Sequence, residues 1–125
     1  MESLNIESTF KTPAIHFDSV QGILSVNGRI FPENPKEFFG PVLIWLDQYI
    51  MNPAPKTQLN LTLSYFNSSA NEYLFRCCKA METLEDLGHP ASISWYYETE
   101  DEDMKQMGED FRDLLKINFE IHAIS

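Results

Sequence analysis

A chain of 125 residues with 43% hydrophobic and 13% aromatic content carries enough core-forming material for one globular domain, residues 1–125, and is not a disordered polymer. Nine Lys and Arg against nineteen Asp and Glu give a net charge of −10, which disfavours nucleic acid and anionic lipid, because both are bound through cations that neutralise phosphate. No apolar run approaches the ~18 residues of a membrane span, and "MESLNIESTF" lacks the basic start of a signal peptide, so the expected setting is cytoplasmic and the expected partners are proteins.

Along the chain, "GILSVNGRIF" reads as a hairpin, with Ile23 to Val26 and Arg29 to Phe31 as its arms and Asn27-Gly28 as a type I′ turn. Ala14 to Phe17 extends the first arm. From Lys36 to Ile50 the spacing is helical: Phe38, Val42, Trp45 and Tyr49 form one apolar stripe. Gly40-Pro41 predicts either a kink there or a helix that begins at Pro41. Leu59, Leu61, Leu63 and Tyr65 then alternate with Asn60, Thr62 and Ser64, the pattern of a strand with one buried face.

A second helix carries Leu74, Cys77 or Cys78, Met81 and Leu84 and stops at Gly88, with Pro90 beyond. Ala91, Ile93, Trp95 and Tyr97 alternate as another strand, with Tyr96 on its outer face as a candidate partner contact. The acidic run Glu98 to Asp103 precedes a third helix, where it favours the positive N-terminal end; it lacks the glycine and distal glutamate of a calcium loop. "INFEIHAI" closes as a strand. The order β-β-α-β-α-β-α-β predicts an α/β fold with a mixed sheet, its last three strands parallel and helices mainly on one face.

Catalytic chemistry finds little support. His16, His89 and His122 are scattered, and none stands near a cysteine at metal-ligand spacing. No glycine-rich phosphate loop is present, and Ser68 and Ser69 have no flanking glycines of a nucleophile elbow. The adjacent Cys77 and Cys78 do not suit a disulfide framework, which fits a reducing compartment. The expectation is no cofactor, no metal and no enzyme, with a small serine-dependent hydrolase using Ser68 as one alternative and a constitutive interaction scaffold as another.

The stretch that raises a functional question is "YFNSSANE". Ser69 and Glu72 match the capping box S-x-x-E, in which the serine oxygen and the glutamate satisfy orphan amides. Ser68 then lies outside the helix with its hydroxyl free, beside a helix N-terminus suited to an anion. Phe66, Asn67, Ser68 and Ser69 form a candidate partner-binding segment.

The element order and this serine pair resemble the STAS-type anti-sigma factor antagonists, and the chain more closely resembles the SiaC family of regulatory phosphoproteins. That resemblance runs through "TPAI" (Thr12–Ile15), "PEN" (Pro32–Asn34), "FFGPVLIWL" (Phe38–Leu46), "LSYFNSS" (Leu63–Ser69) and "SISWYY" (Ser92–Tyr97). It implies a STAS-like single domain and a non-catalytic protein in bacterial partner switching, in pathways of biofilm and aggregation control. It also implies a phosphoacceptor directly after the asparagine, hence Ser68 with Ser69 as the alternative. The implied partners are a protein kinase, a PP2C-like phosphatase and a downstream effector such as a diguanylate cyclase, activated by the unphosphorylated form. Two departures from the family pattern stand out: serine occupies a position where threonine also occurs, and Ala70 replaces a further hydroxyl.

Overall fold

The computed structural model describes residues 1–125. Its strands are β1 (Leu4–Ile6), β2 (Ala14–Asp18), β3 (Ile23–Ile30), β4 (Thr57–Phe66), β5 (Ala91–Glu98) and β6 (Asn118–Ile124). Helix α1 (Pro35–Met51) joins β3 to β4, α2 (Asn71–Asp86) joins β4 to β5, and α3 (Glu102–Leu114) joins β5 to β6. All six strands form one sheet in chain order, β1-β2-β3-β4-β5-β6. The first three pair antiparallel, and β3 through β6 pair parallel, so the parallel set includes one strand more than the sequence predicts.

This order places the helices. Each parallel link steps one strand in the same direction, and right-handed crossovers then lay every helix on the same side. Leu24, Val26, Leu59, Leu61, Leu63, Ile93 and Trp95 are buried on that side beneath Val42, Leu46, Leu74 and Met81. The opposite face is polar; there Gln58 Nε2 donates to Asn60 Oδ1 (3.0 Å) and Ser94 Oγ (2.6 Å). No helix is long and apolar enough to cross a membrane.

The hairpin expected at Asn27-Gly28 does not form. Residues 23–30 run as one strand, and the real hairpin joins it to β2 through residues 19–22. Asp18 builds that turn: its Oδ1 accepts from the amides of Val20 (2.9 Å) and Gln21 (3.0 Å). Gly22 closes it at φ +73°, where a Cβ would lie 2.1 Å from the Lys56 carbonyl oxygen. An aspartate side chain and a glycine four residues later suit a turn as well as Asn-Gly does, and here they are the pair that makes it. The short β1, which pairs antiparallel with β2, is a strand beyond those the sequence predicts.

Gly28 has φ +130° and stands where the β3–β4 register shifts: Gly28 pairs with Leu63, but Arg29 pairs with Tyr65. Ser64 is thus an extra residue on β4, and a bulge of this kind reverses which side chains face the core. Phe66 turns toward the helices while Tyr65, expected on the buried face, is 51% exposed.

Helix α1 starts at Pro35, not Pro41, and runs on through Pro41. Asn34 caps it, accepting from the Glu37 amide at 3.2 Å, and proline at the first helical position forfeits no intrahelical bond. Its buried stripe uses Phe39 rather than Phe38, with Val42, Trp45, Leu46 and Tyr49. Cys77 and Cys78 are both free and fully buried on α2. Burial pushes the Cys77 thiol up to about 12; Cys78 is raised as well, by burial first and by Cys77 and Glu82 second.

Candidate functional site

The site lies where β4 gives way to α2. The Asn67 amide donates to the Ile30 carbonyl at 2.8 Å, which fixes the end of β4 against the end of β3. Residues Ser68–Ala70 then make a single 3₁₀ turn that leads directly into α2.

The capping of this junction differs from the sequence expectation. Asn67 Oδ1 accepts from the Ser69 amide at 2.8 Å, so asparagine is the cap and Ser69 supplies the donor. Residue Ala70, immediately before α2, makes no side-chain cap. Glu72 does not reach back to the junction; its carboxylate lies 3.9 Å from Arg76 on the outer face of α2. The capping box of Ser69 and Glu72 is therefore absent. The reason is the intervening 3₁₀ turn, which starts the helical path two residues earlier and gives the cap position to Asn67.

This arrangement leaves both serine side chains exposed, and neither hydroxyl is used in a hydrogen bond within the chain. Asn67 is half-buried and Ala70 fully buried, so the serines stand out between two anchored residues. Amides at the start of a helix attract negative charge, which suits this turn to carry an anion. The two serines are alike in access, and capping gives no ground for choosing between them.

Three residues before Ser68, the bulge turns Tyr65 outward into an aromatic cluster that periodicity does not reveal. Tyr65 meets Phe31 edge-on with ring centroids 5.2 Å apart, and Phe31 meets Phe10 in the same manner at 5.7 Å. The Arg29 guanidinium lies 4.7 Å from the Phe10 ring centroid. The four side chains line a shallow cleft, and Phe10 is 69% exposed. On the other flank, Ser64, Tyr65 and Phe66 share a cleft with Asp101, Asp103, Met104 and Met107 at the start of α3. The junction thus lies between a cationic aromatic patch and an acidic one. The only sequence signal for the first was the density of aromatics around Phe31 and Tyr65; strict alternation counted Tyr65 as core.

Of the other sequence candidates, Tyr96 lies apart from this junction and the acidic run flanks it. Tyr96 stacks on His122 with centroids 5.1 Å apart, on the polar face of the sheet. Asp101, from the acidic run, caps α3 by accepting from the Met104 amide at 3.0 Å. No three of the His, Cys, Asp and Glu side chains are grouped to hold a metal.

Comparison with known proteins gives a consistent picture. The family model described as SiaC family regulatory phosphoprotein matches residues 6–124. A Pseudomonas aeruginosa protein of strain UCBPP-PA14 is 32% identical over 123 residues, 98% of each chain. The solved structure of apo-SiaC from Pseudomonas aeruginosa superposes with a TM-score of 0.89 at 32% identity, over 98% of this chain and 100% of that one. A chain in the structure of diguanylate cyclase SiaD in complex with its activator SiaC, from the same organism, gives 0.90 at 32% identity, over 97% and 99%.

Proposed function

The chain belongs to the SiaC family of regulatory phosphoproteins, and from that premise we propose that it is a phosphorylation-switched activator in a bacterial partner-switching pathway. It is a regulatory protein, not an enzyme. Its unphosphorylated form binds and activates a diguanylate cyclase in the control of biofilm or aggregation, and Ser68 is the residue whose phosphate ends the contact. A kinase adds that phosphate and a PP2C-like phosphatase removes it, in the cytoplasm.

The observation that carries the reading is the junction itself: an exposed hydroxyl directly after Asn67, on a turn whose Ser69 amide Asn67 already holds. Support for the cyclase is the similarity to an activator of diguanylate cyclase SiaD. Ser68 is preferred to Ser69 because the acceptor in the resembled family follows the asparagine directly. The likeness to anti-sigma factor antagonists adds the element order and the strand-helix position of the switch.

Physically, a phosphate brings about −1.5 to −2 charges. At the start of a helix the isolated protein tolerates it, with a gain of roughly 0.3–2 kcal/mol from the dipole. Within an interface the same dianion must be desolvated or paired with arginine. A penalty of about 3 kcal/mol weakens binding more than a hundredfold. The exposed Phe31–Tyr65 cluster beside the turn is the surface we assign to the effector.

The test is titration of the cognate cyclase with wild-type, Ser68→Ala and Ser68→Asp proteins. The expected result is full activation by wild type and Ser68→Ala and loss of activation by a folded Ser68→Asp. Turnover of ester or phosphoester substrates that vanishes in Ser68→Ala would instead make the protein a hydrolase. Equal activation by all three would make it a constitutive scaffold.

A further inference from the structure

The two edges of the sheet are built differently. At one edge, β1 is only Leu4–Ile6, the short kind of strand that offers little to a second chain. At the other, β6 pairs with β5 in unbroken register from Asn118 to Ile124. It contains no proline, lysine or bulge, and no further strand covers its outer side. Of the usual devices that protect a long edge, it carries only the single carboxylate of Glu120.

The phase of the free edge can be read from one bond. The Ile124 carbonyl accepts from the Thr99 amide at 2.8 Å, on the β5 side. Amide and carbonyl of a strand residue point the same way and alternate along the chain, so those of Phe119, Ile121 and Ala123 point outward. An antiparallel strand centred on Ile121 would bond to these three residues. Between them, the residues at 120 and 122 would form the non-hydrogen-bonded pairs, in which side chains approach most closely.

The side chains are self-complementary about that centre. A two-fold axis at Ile121 sets Glu120 of one copy opposite His122 of the other, twice, on the polar face. It sets Phe119 opposite Ala123, large against small, on the helix side. His122 is already positioned for a carboxylate: its Nε2 lies 3.2 Å from Glu120 Oε1 in its own chain, and Tyr96 stacks on its ring at 5.1 Å.

We propose that β6 is a homodimer interface, in which a second copy of this chain adds antiparallel across Ile121 and extends the sheet through both subunits. This is an isologous contact, so it closes at two. It stands apart from the Ser68 turn and does not depend on the switch.

The experiment is sedimentation velocity of the full chain over a concentration series at about 0.15 M salt, where screening lengths are about 8 Å and the repulsion between acidic subunits is damped. A reversible dimer is expected. Glu120→Lys removes the carboxylate that faces the His122 imidazole and puts a donor there instead, and should raise the dissociation constant about tenfold, through two symmetry-related pairs. Adding His122→Glu sets opposite charges across the axis and should recover dimerisation. On the wild type, hydrogen exchange at the amides of Phe119, Ile121 and Ala123 should slow as concentration rises. A wild-type monomer at every concentration overturns the proposal, and so does a dimer indifferent to Glu120→Lys. A dimer whose outward β6 amides exchange equally fast at all concentrations overturns it as well.

Discussion

Asn67 holds the Ser69 amide through its side-chain oxygen at 2.8 Å, and this one bond decides how the junction between β4 and α2 is made. The cap comes from the residue before the serine pair, so both hydroxyls are free for other use. Asn67→Ala should cost about 1 kcal/mol of stability, as loss of a helix cap does. Ser69→Ala should stay within about 0.5 kcal/mol of wild type, as at ordinary surface positions. Urea denaturation distinguishes the two; the reverse order would restore Ser69 as the cap.

Helix α3 rests on Trp95 through a glycine. A Cβ at Gly108 would lie 2.7 Å from both Cδ1 and Nε1 of that indole, and Trp95 is fully buried and donates to the Met104 carbonyl at 3.1 Å. Gly108→Ala gains about 1 kcal/mol in helix propensity, yet overpacking typically costs about 1–3 kcal/mol, so a net loss of stability is expected. Thermal unfolding measures it, and tryptophan fluorescence should report a displaced indole.

Glu82 joins α2 to the start of β6. Its carboxylate accepts from Lys79 Nζ at 2.6 Å and from the Lys116 amide. Burial alone would raise its pKa, but the Lys79 and Lys116 interactions outweigh burial and hold it below the ordinary 4.5. A folded pKa below the unfolded one means that the folded state binds fewer protons. The stabilisation is therefore complete above about 4.5 and disappears as pH falls through the folded value. Glu82→Gln should cost roughly 1–2 kcal/mol at neutral pH and flatten the acid limb of the stability profile. An unchanged limb in denaturation curves taken across that range would contradict this role.

Much of this was legible in the residues. Burial of Leu61, Leu63, Ile93 and Trp95 follows from alternation, and the end of α2 follows from Gly88, whose amide bonds to Glu85 while that of His89 reaches back to Leu84. What was not legible had a local cause in each instance. Asn27-Gly28 carries a strong turn signal, but the antiparallel partner Ala14–Asp18 fixes the register and Gly28 is used for a bulge instead. That bulge changes the phase of β4, so periodicity assigned Tyr65 to the core and missed the aromatic cluster. The spacing of Ser69 and Glu72 satisfied a capping rule, but a 3₁₀ turn moved the helix start and left Asn67 to cap it.

The central claim is that Ser68 is the phosphoacceptor, and the most direct test is phosphosite mapping. Cleavage after Lys56 and Arg76 releases residues 57–76, which contain Ser64, Ser68 and Ser69, and fragmentation of that peptide separates the three. After reaction of the purified protein with its cognate kinase and Mg-ATP, the phosphate is expected on Ser68 and absent from the Ser68→Ala protein. Phosphate on Ser69 would move the switch by one residue, and a fully active kinase that leaves all of these hydroxyls unmodified would contradict the account.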